Sequence, residues 1–163
     1  MDKNEENYAN EILPVLLFLD KYKVEIEADI VSLMTNHLLK GIANYSVNDL
    51  CKTMNLLGRF GKLELDSFEQ ITKRFEEMCL SQNHKVNLVN INMFLDGIVR
   101  SDLSNGNIII KKSLKETYPG IKHQIHELLG SVKIESRQFM DNYASLLKLI
   151  GHLQFFPHSF FKE

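Results

Sequence analysis

Leu19, Leu57 and Leu95 stand 38 residues apart, and each sits in a similar run of residues. The first run is Leu16-Leu17-Phe18-Leu19-Asp20-Lys21-Tyr22, the second Met54-Asn55-Leu56-Leu57-Gly58-Arg59-Phe60, the third Asn92-Met93-Phe94-Leu95-Asp96-Gly97-Ile98. In each, an apolar pair is followed by a small or acidic residue, and a large apolar residue lies three positions after the leucine. A fixed period of about 20–50 residues marks stacked supersecondary units, because one such unit cannot hide its apolar face without its neighbours. The spacing predicts an all-α chain: a short right-handed α-solenoid of antiparallel helix pairs with a repeat near 38 residues. The motif returns late, as Leu149-Ile150-Gly151-His152-Leu153, an interval of 55 from the third run. We therefore expect units at about 7–44, 45–83, 84–118 and 136–163 within a single domain spanning 1–163, with an insertion at about 119–135.

Apolar residues recur at helical spacing almost throughout, and only eight glycines and three prolines interrupt them. The first predicted helix covers about 7–22, with Ile12, Leu16 and Leu19 inward; Pro14 either starts or kinks it. The second covers about 25–40, using Ile26, Ile30, Leu33, His37 and Leu38. Ser46 is placed to cap a third, whose stripe is Val47, Leu50, Met54 and Leu57 and whose end falls at Gly58 and Gly61. Phe68, Ile71, Phe75 and Met78 face inward from about 66–80, and Leu88, Ile91, Leu95 and Ile98 from a helix opening near Asn87. Shorter helices follow at about 108–117 and 121–129, and the last runs from Ser136 to before Pro157.

Two cysteines in 163 residues make no disulfide framework, and both fall in apolar helical patterns, so buried thiols are expected. Net charge is −2, which gives no global field toward polyanions. It is unevenly spread: four Lys/Arg oppose eight Asp/Glu through Asn44, and eight oppose six from Asp102 onward. No apolar run reaches the ~18–20 residues that span a bilayer, so no membrane insertion is expected.

The segments Tyr45-Ser46-Val47-Asn48-Asp49-Leu50 through Leu56-Leu57-Gly58-Arg59-Phe60-Gly61, and Asn142-Tyr143-Ala144-Ser145-Leu146-Leu147 through Leu153, carry a family likeness. They resemble the first helix of repeats in octatricopeptide and heptatricopeptide proteins, and the helical region of FAST-kinase-like proteins. The resemblance implies an organellar protein acting in RNA processing or as a component of a divergent mitochondrial ribosome. It also implies nucleotide contacts from polar positions on the first helix of each unit, here Asn48, Lys52, Asn55 and Arg59. These do not recur as a ladder: Asn48 shifts to Val86, and Asn55 to Met93. Base-by-base readout is therefore not expected, and phosphate or protein contacts are.

Lys111, Lys112 and Lys115, with Lys122 beyond the Tyr118-Pro119-Gly120 break, form a basic run suited to RNA phosphates, including those of an rRNA. Phe155, Phe156, Phe160 and Phe161 give the chain an apolar end suited to a protein partner. No catalytic set, metal site, cofactor or small-molecule substrate is expected. His123 and His126 share a helical face with no further ligand beside them, Glu127 being offset around the helix, and Glu76-Glu77 read as solvated charge on a helix exterior. The expected function is a non-catalytic subunit of an organellar RNA-containing assembly; the rival is a protein–protein adaptor without RNA, in the cytoplasm or an organelle.

Overall fold

The computed structural model describes residues 3–81, 83–101, 114, 117–130 and 137–154, with side chains from Glu11 onward. Those residues form seven α-helices and no strand. They are α1 (Lys3–Lys21), α2 (Ala28–Lys40), α3 (Val47–Arg59), α4 (Leu65–Leu80), α5 (Leu88–Arg100), α6 (Pro119–Gly130) and α7 (Arg137–His152), with a 3₁₀ turn at Ile42–Asn44. The predicted helix at 108–117, the basic run Lys111, Lys112 and Lys115, and the terminal Phe155, Phe156, Phe160 and Phe161 lie outside the described residues.

Local chemistry sets the boundaries. The hydroxyl of Ser46 accepts the Asp49 amide at 3.2 Å, satisfying one of the free N–H groups that open α3. Asn87 and Asn90 cap α5 reciprocally: each side-chain oxygen accepts the other's backbone N–H, at 3.0 and 3.2 Å. At the end of α3, Gly61 takes φ +64°, the Lys62 amide reaches the Leu57 carbonyl and the Gly61 amide reaches that of Gly58. This left-handed turn suits glycine, because a side chain there would crowd its own backbone. Gly58, expected to help stop α3, instead lies inside it. Pro14 lies inside α1, which continues on both sides of it.

Packing places the helices in two rows. α1 lies against α3, α3 along α5 and α5 along α7; behind them α2 meets α4 and α4 meets α6. The predicted inward stripes of α3, α4 and α5 are all buried, with Leu50, Met54, Leu57, Phe68, Ile71, Phe75, Ile91, Leu95 and Ile98 wholly so. Leu16 of α1 is equally hidden, and Leu19 is half-buried. Phe75 of α4 stacks on Phe94 of α5 with ring centroids 4.2 Å apart, a pairing that adds about 0.5–1.5 kcal/mol to area burial. Two inward assignments on α2 do not hold: Ile30 and Leu33 are 46% and 60% exposed. α2 turns Val31, Thr35 and Leu38 to the core instead, one position round the helix from the predicted face.

α3 and α5 approach backbone to backbone. A Cβ added at Gly58 would collide with the Gly97 carbonyl, and one at Gly97 with the Met54 carbonyl and, at 2.7 Å, the Asn55 Cα. α6 is held differently. Glu76, buried on α4, reaches its N-terminus, where Oε1 accepts the Gly120 amide at 2.5 Å and Oε2 the Ile121 amide at 2.7 Å. The expectation of solvated charge at Glu76 is thereby overturned. Pro119 occupies the first helical position, where a missing N–H costs nothing, and the carboxylate meets the positive end of the helix dipole.

Candidate functional site

A run of polar residues lies across the first row of helices. Each is brought there by its helical spacing: Asn55 on α3, Asn92, Asp96 and Arg100 on α5, and Ser145, Lys148 and His152 on α7. On α5 and α7 they stand three or four residues apart, so each set occupies one side of its helix. Between α3, α5 and α7 these side chains line an open groove of about 750 Å³, to which Val89, Met93, Val99 and Leu149 add apolar wall.

Hydrogen bonds bind the groove's rungs together. The Asn55 amide donates to the Met93 carbonyl at 3.3 Å and to Asp96 Oδ2 at 2.8 Å. Arg100 Nε donates to the same carboxylate oxygen at 2.6 Å, so the acid is matched by a cation on its own helix. One step along, the Asn92 amide donates to the Asn142 carbonyl at 2.7 Å, joining α5 to α7. The Asn92 Oδ1 atom is buried with no protein partner among the described residues. On the other side of α3, Arg59 pairs with Asp20 of α1 at 2.8 Å. Arg59 therefore ties helices together.

A second hollow of about 650 Å³ opens beside the N-termini of α3 and α5. Asn48, Asn83, His84, Lys85 and Asn87 line it, with Arg74 at its wall. Arg74 is engaged there: its guanidinium donates to the Ala43 carbonyl at 2.9 Å and to Glu77 at 3.1 Å.

The four polar positions singled out on α3 thus divide. Asn48 faces the second hollow, Asn55 the first groove, Arg59 the α1 junction, and Lys52, half-buried, lines neither. Lys122 is exposed on α6, away from both. Sequence inspection passed over Asn92, Asp96, Arg100, Lys148 and His152. Their signal was present: Asn92, Asp96 and Arg100 repeat at four-residue intervals on a helix whose other positions are mostly apolar.

His123 and Glu127 approach to 3.5 Å on the exposed side of α6, so Glu127 is not offset from the histidine as expected. Among the described residues no group of three His, Cys, Asp or Glu is arranged to hold a metal ion, and no helix is long and apolar enough to cross a membrane.

Both cysteines are free thiols. Burial pushes the Cys51 thiol far above its ordinary value, with Cys79 adding to the effect; Cys79 itself is pushed up to about 12 by burial and then by the charge of Glu76. An inert pair follows, since the thiolate is the reactive form. Iodoacetamide at neutral pH should label neither in the native protein and both after denaturation, as counted by intact mass. The thiols' contribution to stability should be flat with pH below about 8.5 and fall above it, because the unfolded chain then sheds thiol protons that the folded one keeps. Urea melts across pH 7–10 would read that slope, and a rise in stability would reverse the sign.

No protein-family model, curated protein or solved structure matches the chain.

Proposed function

We propose that the chain is a short α-solenoid serving as a non-catalytic subunit of an RNA-containing assembly, organellar in keeping with the family it resembles. The side-by-side rows support the stacked-repeat reading. So does the hydrogen bond from Asn55 to the carbonyl of Met93, the residue 38 positions later on the neighbouring helix. In this arrangement α6 is the second helix of the third pair, since it lies beside α4 in the second row as α4 lies beside α2. The extra length then falls between Ser101 and Tyr118, ahead of the stretch at 119–135.

The groove across α3, α5 and α7 carries the functional reading. Its charged wall among the described residues consists of Arg100 and Lys148 against the acid Asp96, which Arg100 already matches, with the His152 imidazole beside them. Amides from Asn55, Asn92 and Asn142 complete it. Cations with amide donors and acceptors suit a single-stranded RNA backbone and its base edges, and among the described residues no aromatic lines the groove for base stacking. Backbone contact with little sequence preference is the expected mode.

Fluorescence anisotropy with a generic single-stranded RNA tests this across a salt series. Each phosphate neutralised should add about 0.7 to the slope of log affinity against log salt. Lys148→Glu should weaken binding about tenfold and flatten that slope, whereas Lys62→Glu, outside the groove, should leave both unchanged. An absence of RNA retention at low salt would remove the RNA reading. The adaptor reading would then stand on its own observation, the exposed Val15, Phe18, Tyr22, Ile30 and Leu33 on the first helix pair.

A further inference from the structure

The outer side of α1 shows what an unfinished junction looks like. Val15, Phe18 and Tyr22 lie two 38-residue steps before Ile91, Phe94 and Ile98. In α5 those three are wholly buried, and Phe94 stacks on Phe75 of the preceding helix pair. On α1 and the turn just past it their counterparts are 47%, 57% and 59% exposed, the rings of Phe18 and Tyr22 resting only 4.5 Å apart on one another. Ile30 and Leu33 extend the bare apolar area onto α2.

The opposite end is open in a matching way. Gly151 is the register counterpart of Gly58, one 38-residue step and the later 55-residue interval further on. Gly58 lies against the backbone of the next first-row helix, while a Cβ at Gly151 would meet none of the described residues within 4 Å. Met140, Ala144 and Leu147 continue the exposed face of α7 at helical spacing. Charge distinguishes the two ends. Exposed Glu11, Glu25, Glu27 and Asp29 outnumber Lys21, Lys23 and Lys40 on the first pair, and exposed Arg137 and Lys148 outnumber Asp141 on α7, in line with the acidic start and basic finish of the sequence.

We propose that the α1–α2 end of one molecule docks on the α7 end of a second copy, head to tail. The large side chains of α1 would meet the exposed face of α7, seating at Ala144 and Gly151 beside Met140 and Leu147. Opposite net charge favours this orientation over two acidic ends meeting. Such a contact joins two different surfaces, so it does not close on itself in a dimer and adds copies in series. Head-to-tail docking presupposes the stacked-repeat reading and is independent of any RNA contact.

Sedimentation velocity of the full chain over a wide concentration range tests it. Wild type should grow beyond a dimer as concentration rises, and less so at high salt. Phe18→Glu, which blocks the head, and Gly151→Leu, which blocks the tail, should each be monomeric alone, with helical circular dichroism spectra like wild type. Mixed, they should form a one-to-one dimer and go no further, because one sound head and one sound tail remain. A wild type that stays monomeric at every concentration overturns the proposal. So does a Gly151→Leu variant that still self-associates, since that means two heads meet. RNA anisotropy on the same preparations keeps the two readings apart: self-association without RNA retention sinks only the proposed function.

Discussion

Replacing Gly97 by leucine should unfold the protein or leave it without a cooperative melt, the largest effect expected of any single change in the first row. The atoms in the way belong to the α3 backbone, the Met54 carbonyl and the Asn55 Cα, which no rotamer change can move. α5 would have to slide away, uncovering the Phe75–Phe94 stack and breaking the bonds from Asn55 to Met93 and Asp96. Gly97→Ala is a finer test. A helical alanine gains about 1 kcal/mol over glycine, while forcing a methyl group into a filled contact costs about 1–3 kcal/mol. Here backbone blocks the space, so the cost should win and thermal melting should fall by several degrees. Gly151→Ala, in open space on α7, should instead raise it. If alanine stabilises equally at both positions in parallel thermal melts, the helices are not in backbone contact.

Glu76→Ala should cost about 2–4 kcal/mol, because two charge-assisted hydrogen bonds, each worth about 1.5–3 kcal/mol, vanish and leave the Gly120 and Ile121 amides unmet. The Gln variant keeps one strong acceptor and should lose about half as much. Glu77→Ala, whose side chain meets only Arg74 at the surface, should cost under about 1 kcal/mol. Urea melts measure all three. Hydrogen exchange then locates the damage: amides of α6 should lose protection first, whereas uniform loss over α4 and α6 would mean the carboxylate serves α4 alone. Gly120 belongs to the same device, since its absent side chain leaves room for Glu76 Oε1 and the Leu80 side chain at 2.8–2.9 Å.

The all-helical class, the cap at Ser46, the opening of α5 near Asn87, and the buried stripes of α3, α4 and α5 were legible because each depends on residues within a turn or two. The features that escaped depend on partners far along the chain. Gly58 has the composition of a stop, and only the approach of Gly97 makes it a contact. Glu76 reads as surface charge until a helix 44 residues later brings its amides to it. Ile30 and Leu33 are apolar at helical spacing, yet both stay largely exposed. Asn55 was rightly taken as lying off the core, but its link to Asp96 is set by the lateral spacing of two helices. The groove residues of α5 and α7 were spaced regularly enough to be found; the polar periodicity of a mostly apolar helix is the signal to seek.

The ring pair formed by Phe75 and Phe94 bridges the back of one hairpin and the front of its successor. Severing the polypeptide between Leu80 and Leu88 would leave both pieces with a solvent-facing phenyl group, so neither fragment is self-sufficient. Shortening the molecule one hairpin at a time is consequently discouraged, and loss of order at the middle should spread outward in both directions.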